Sequence, residues 1–206
     1  MNRWTTKTMW MTVFPALFFS LLAQAQVVMN TNDSGSGSLR QVVADAASNA
    51  TITFAPSLNG ETIVLFEQIV LDKDLVIDAE ALPRGVGISG NSNGNRELEP
   101  GETRIFLIQP GRDVRLRALT LRDGQVDPKP GAPEDTAGGA ILNWGSLLLE
   151  RCLIVGCSAR IGGGIYNAGD AKLTLVQATI TGNHASDSGG AIYNTGNALV
   201  TLEEST

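Results

Sequence analysis

Gly138-Gly139-Ala140-Ile141-Leu142-Asn143, Gly162-Gly163-Gly164-Ile165-Tyr166-Asn167 and Gly189-Gly190-Ala191-Ile192-Tyr193-Asn194 are three versions of one hexapeptide. The Ile and Asn positions recur 24 and then 27 residues apart. An apolar strand pattern follows each opening. Those strands also align: Leu116 with Leu121, Leu149 with Ile154, Leu175 with Ile180, then Leu202. Each complete pair is five residues apart, so the register survives loops of different length.

A period near 25 residues is too short for ankyrin, tetratricopeptide or propeller repeats. The leucine-rich frame L-x-x-L-x-L-x-x-N is absent. The expected fold is all-β: a β-solenoid, in which successive coils stack as parallel strands about 4.8 Å apart. Ile141, Ile165 and Ile192 then form one internal stack. Leu116, Leu149, Leu175 and Leu202 form a second, and Leu121, Ile154 and Ile180 a third. Asn143, Asn167 and Asn194 fall two residues after the stacked Ile, at a turn. Identical amides at strand spacing can bond up the stack, so these three are expected to be a structural ladder and not ligand contacts. The Gly-Gly pairs let coils pass closely at a corner.

Composition agrees. The chain has 206 residues, 17% charged and 5% aromatic, with 23 Gly, 13 Asn and 17 Thr. Gly, Asn and Thr are weak helix formers, which excludes a helical bundle. A hydrophobic content of 43% at low charge excludes disorder. The single histidine, His184, excludes multi-histidine metal sites and most histidine-based triads.

Residues 1–25 read as a signal peptide. Arg3 and Lys7 precede an apolar stretch from Met9 to Leu22, which closes on Ala23-Gln24-Ala25. Cleavage after Ala25 removes two basic residues and moves the net charge from −6 to −8. That sign argues against nucleic acid and anionic lipid as partners. No transmembrane helix is expected in the mature chain, and nothing in the sequence sets an oligomeric state.

Residues 26–50 read as an N-terminal cap. Ser38 with Gln41 makes a capping-box pattern, and Leu39, Val42, Val43 and Ala46 give a short helix one apolar face. Such a helix covers the first coil, whose bare edge would otherwise invite aggregation. Coils then occupy residues 51–206, about six at this period, with surface loops at 91–102 and 127–136. The last coil is unfinished, so the C-terminal end is expected to be open and the chain truncated.

The stretch Asn32-Asp33-Ser34-Gly35-Ser36-Gly37-Ser38-Leu39-Arg40-Gln41, followed by Ile52-Thr53-Phe54, resembles the N-terminal module of bacterial secreted right-handed parallel β-helix proteins. The Gly-Gly-Ala-Ile openings and Ile180-Thr181-Gly182-Asn183 are similar to the repeats of polymorphic outer membrane proteins and autotransporter passengers. The match departs at Ile154-Val155-Gly156-Cys157, where cysteine replaces the repeat asparagine. The resemblance implies the fold, secretion and display at the outer-membrane surface; it implies no reaction.

Two functional readings follow. The preferred one is a secreted or cell-surface, non-enzymatic protein: a structural passenger, stalk or adhesin-like surface toward glycans or host cells, without cofactor. The rival is a pectate-lyase-like polysaccharide enzyme built on Asp72, Asp74 and Asp78. There, Asp72 and Asp74 share a strand face and hold Ca²⁺, with Arg112, Arg115 and Arg117 one coil on. Arg115, Arg117 and Arg122 are further candidates for an acidic glycan. Cys152 and Cys157 are expected to be unbridged, because an extended chain would set their Cα atoms roughly 16 Å apart.

Overall fold

The computed structural model describes residues 26–91, 102–126 and 136–206. The leader and nearly all of both expected loops, 91–102 and 127–136, lie outside them. The chain enters through β1 (Gln26–Val28) and α1 (Leu39–Asp45). It then runs repeatedly through short strands. The first turn holds β2 (Ala50–Phe54), β3 (Thr62–Val64) and β4 (Ile69–Leu71), and the second β5 (Leu75–Asp78), β6 (Val86–Ser89) and β7 (Phe106–Ile108). The third holds β8 (Asp113–Arg117), β9 (Leu119–Arg122) and β10 (Ile141–Asn143). The fourth has β11 (Ser146–Glu150), β12 (Leu153–Val155), β13 (Ser158–Ile161) and β14 (Ile165–Asn167). The fifth has β15 (Lys172–Val176), β16 (Thr179–Thr181), β17 (His184–Ser188) and β18 (Ile192–Asn194), and β19 (Leu199–Glu203) follows.

Equivalent strands pair in parallel and build three long sheets. The first is β1-β2-β5-β8-β11-β15-β19, the second β3-β6-β9-β12-β16, and the third β4-β7-β10-β14-β18. β13 and β17 form a short fourth sheet. The protein is thus mostly β with long parallel sheets and no barrel. Among the described residues, no helix is long and apolar enough to cross a membrane.

The stacks read from the sequence are in register, and they run further down than the repeat suggests. Ile192, Ile165 and Ile141 continue to Phe106 and Ile69. Ile180, Ile154 and Leu121 continue to Ile88 and Ile63. Leu202, Leu175, Leu149 and Leu116 continue to Ile77 and Ile52. From Ile52 through Leu175 the members of this leucine stack are buried and belong to one continuous core. Each such side chain contributes about 1.5–3 kcal/mol of hydrophobic stabilisation.

The corner between the first and second sheets is made by one residue in left-handed conformation. Ala118, Arg151, Gln177 and Glu204 occupy it in successive turns, with φ of 52°, 51°, 52° and 50°. None is glycine, so residue type gives no signal there. The corner before the third sheet is different. A Cβ at Gly163 would sit 2.2 Å from the His184 carbonyl oxygen and 2.6 Å from that of Gly190. Here the glycines permit backbone contact, as expected from the Gly-Gly pairs.

Helix α1 covers the first turn with Leu39, Val42 and Val43 buried. Its capping box is half formed. Ser38 Oγ accepts from Gln41 N at 3.2 Å, but Gln41 Nε2 turns away to the Asp45 carboxylate at 2.9 Å. Ser38 N instead donates to Gly35 O, so no backbone donor is left for Gln41 to satisfy.

Candidate functional site

The carboxylates proposed for Ca²⁺ are not on a strand face. Asp72 and Asp74 lie in the turn between β4 and β5, with Asp72 exposed. Between them, Lys73 Nζ reaches back to donate to the carbonyls of Val43, Ala44 and Ala46 at 3.2, 2.6 and 3.0 Å. It satisfies open carbonyls at the C-terminal end of α1, where a cation is favoured. Asp74 Oδ1 accepts from Asp113 N at 2.9 Å, tying two turns together. Asp78 accepts from Glu80 N at 2.8 Å and faces Arg117 at 3.6 Å. Among the described residues, no group of three or more His, Cys, Asp or Glu is placed to hold a metal.

The arginines differ from one another. Arg117 joins Asp78 below it and Glu150 above it, its Nε donating to Glu150 Oε2 at 2.5 Å. The Glu150 contact raises the Arg117 pKa above its ordinary value. Arg115 points outward and comes only within 4.0 Å of Asp113. Arg122 pairs with its neighbour Asp123 at 2.7 Å. Arg112 is half-buried at the corner before β8.

The asparagines form a bonded column. Asn143 Nδ2 donates to Asn167 Oδ1, and Asn167 Nδ2 to Asn194 Oδ1, each at 2.7 Å. Asn194 Nδ2 donates to Ala198 O at 2.7 Å. Asn143 Oδ1 accepts from Gly145 N and so closes its own turn. These groups are occupied by one another and by backbone.

Cys152 and Cys157 are free and buried. Burial pushes the Cys152 thiol up to about 11 and the Cys157 thiol up to about 12. Neither is a ready nucleophile, because the thiolate is the reactive form. Cys157 also accounts for the break in the repeat. In the turn above, Asn183 Oδ1 accepts from Cys157 N at 2.9 Å. Cys157 Sγ accepts in the same way from Gly124 N at 3.3 Å, one turn below. Sulfur therefore does the work of the amide oxygen.

Beside Cys157 lies a cleft of about 310 Å³. Asp123, Gln125, Ser158 and His184 line it, with Asn91 at one end. Its corner is left-handed in three successive turns, at Asp123, Gly156 and Gly182, with φ of 53°, 70° and 64°. A Cβ at Gly156 would approach Asp123 Oδ1 to 2.7 Å, so glycine leaves room for that carboxylate. The cleft offers a carboxylate, amides, a hydroxyl and an imidazole. This is a hydrogen-bonding set for a small polar ligand, above a protonated thiol.

Sequence reasoning passed over Arg104. It is 2% exposed. Its Nε donates to the Ala137 and Gly138 carbonyls at 3.0 Å, its Nη2 to Ala137 O at 2.7 Å, and its Nη1 to Gln68 Oε1 at 2.6 Å. It holds the segment that leads into the first Gly-Gly opening. An isolated Arg within Glu102-Thr103-Arg104-Ile105 carries no pattern that would mark it as buried. No protein-family model, curated protein or solved structure matches this chain.

Proposed function

We propose that the chain is a right-handed parallel β-helix that is exported and serves as a rigid, non-enzymatic scaffold at the cell surface: a passenger or stalk with an adhesin-like face. The observation that carries this reading is the continuity of its ladders. Apolar stacks, the Asn143–Asn167–Asn194 column and the Asp78–Arg117–Glu150 ion pairs all run along one axis. Asp74, Asp78, Arg117 and the three asparagines are consumed in holding turn to turn. The strong preference of parallel crossover connections for the right hand supports that hand. Export rests on the leader at residues 1–25.

The test is expression of the full chain in a Gram-negative host, followed by fractionation and N-terminal sequencing. Export with a new N-terminus at Gln26 supports the reading. Retention in the cytoplasm with Met1 intact contradicts it.

A further inference from the structure

Four consecutive turns meet at the corner between the third and first sheets. There they leave a groove of about 700 Å³. It spans from Asp74, through Arg112 and Asp113, past Trp144, to Asp170 and Lys172. Three steps of strand spacing make it about 15 Å long. That length suits a short chain of sugar units better than a single small molecule.

Trp144 is the aromatic residue in the lining of this groove. It is half-buried in the turn between β10 and β11. Two neighbours hold it. Gly169 lies so close that a Cβ there would touch Trp144 Cε3 at 3.4 Å. Tyr166 tilts against the indole at 6.3 Å between centroids, and Tyr193 stacks on Tyr166 at 5.5 Å. The ring is therefore fixed before any ligand arrives, which lowers the entropic cost of binding.

The polar rim has unspent capacity. Arg112 and Lys172 line the groove, and among the described residues neither side chain has a hydrogen bond or ion pair. The Asp113 side chain is 60% exposed and, among the described residues, pairs only with Arg115, at 4.0 Å. Asp170 accepts a single bond from Asn197 at 3.1 Å. Cationic donors and carboxylate acceptors thus line the groove together with one aromatic side chain. Each hydroxyl of a pyranose both donates and accepts, and the C–H face of the ring packs on an aromatic face. Three carboxylates against two cations leave the groove with a slight negative charge, which disfavours an acidic glycan.

We propose that this groove is a binding site for a neutral hexopyranose chain. The assignment rests on the surface-scaffold reading for its access to such a glycan, but its test is independent of export. Trp4 and Trp10 are the other two tryptophans, so in the full chain carrying W4F and W10F the fluorescence reports Trp144 alone. That protein is titrated with cellohexaose, mannohexaose and chitohexaose, and with an oligogalacturonide as the acidic arm. Calorimetry runs in parallel. The expected result is a saturable change in Trp144 emission with at least one neutral hexasaccharide. Trp144→Ala should weaken binding at least tenfold, and Arg112→Ala with Lys172→Ala should do so without altering the circular dichroism. Three results would overturn the proposal: no binding of any neutral hexasaccharide, equal binding by the Arg112/Lys172 double variant, or binding of the oligogalacturonide only. Any of these alongside normal export removes the groove assignment and leaves the scaffold reading standing.

Discussion

Asn143 Nδ2 donates to Asn167 Oδ1 at 2.7 Å, one turn further along the stack, and both side chains are fully buried. Asn167 is therefore the middle of a column, whereas Asn194 is exposed at its end. Asn167→Ala strands a buried donor below and an acceptor above. It should cost about 1–3 kcal/mol, the penalty of one unsatisfied buried group, since the acceptor on Asn194 is exposed. Asn194→Ala should cost less than half as much. Urea unfolding of the two variants checks the order.

The buried thiols predict a pH effect of definite sign. Both pKa values are raised in the folded state, to about 11 for Cys152 and about 12 for Cys157. The folded state therefore keeps its protons where the unfolded chain loses them. The contribution is fully present below about pH 8.5 and is lost as pH rises through the folded values, by at most about 1.4 kcal/mol per pH unit per thiol. Thermal melts of the protein and of a Cys152→Ala/Cys157→Ser variant should run parallel from pH 6 to 8, then converge or cross above pH 9. Native thiol labelling at pH 8 should be slow and should become fast in urea.

The two kinds of glycine should behave differently. Gly163→Ala drives a Cβ onto the His184 carbonyl and should cost more than about 3 kcal/mol, at the upper end of overpacking penalties. Gly111 has φ of 73° with open space around it. Gly111→Ala should cost only the left-handed backbone penalty, about 1–2 kcal/mol. Denaturant midpoints separate the two; equal losses would contradict close packing at the Gly163 corner.

Asp74 is assigned to a turn, bonded to Asp113 N, and not to calcium. Asp74→Ala should lower stability by about 1 kcal/mol, the worth of one such hydrogen bond. Calorimetric titration with Ca²⁺ should be flat for both proteins. Incubation with pectate and Ca²⁺ should yield no unsaturated products. Product formation that disappears in Asp74→Ala would restore the enzyme reading.

Much of this architecture is legible in the sequence because stacked turns repeat their residues. Ile141, Ile165 and Ile192 announce their own alignment, and so do the three asparagines. Below Leu116 the same positions are filled by Phe106, Ile88 and Ile77 at irregular spacing, and the repeat fades although the geometry does not. The left-handed corner at Ala118, Arg151 and Gln177 is silent because it does not use glycine. Asp72 and Asp74 were expected on one strand face by alternation. Alternation holds only inside a strand, and residues 72–74 lie between two strands, with Lys73 bonded to the end of α1. The polar clefts escape pattern reading altogether. Trp144 and Lys172, or Asp123 and His184, line common clefts only because separate turns are stacked.

The central claim is that successive turns stack in register as one rigid coil. Leu148 pairs with Thr174, and Thr174 with Thr201, in neighbouring strands of the first sheet. Partners one step apart have Cα atoms about 4.8 Å apart, within disulfide range, whereas two steps put them near 10 Å. In a Cys152→Ala/Cys157→Ser background, Leu148→Cys with Thr174→Cys should oxidise readily to an intramolecular disulfide, and Leu148→Cys with Thr201→Cys should not. Failure of the first pair in folded protein, or equal bridging by the second, would contradict the stacked coil on which the proposed display function depends.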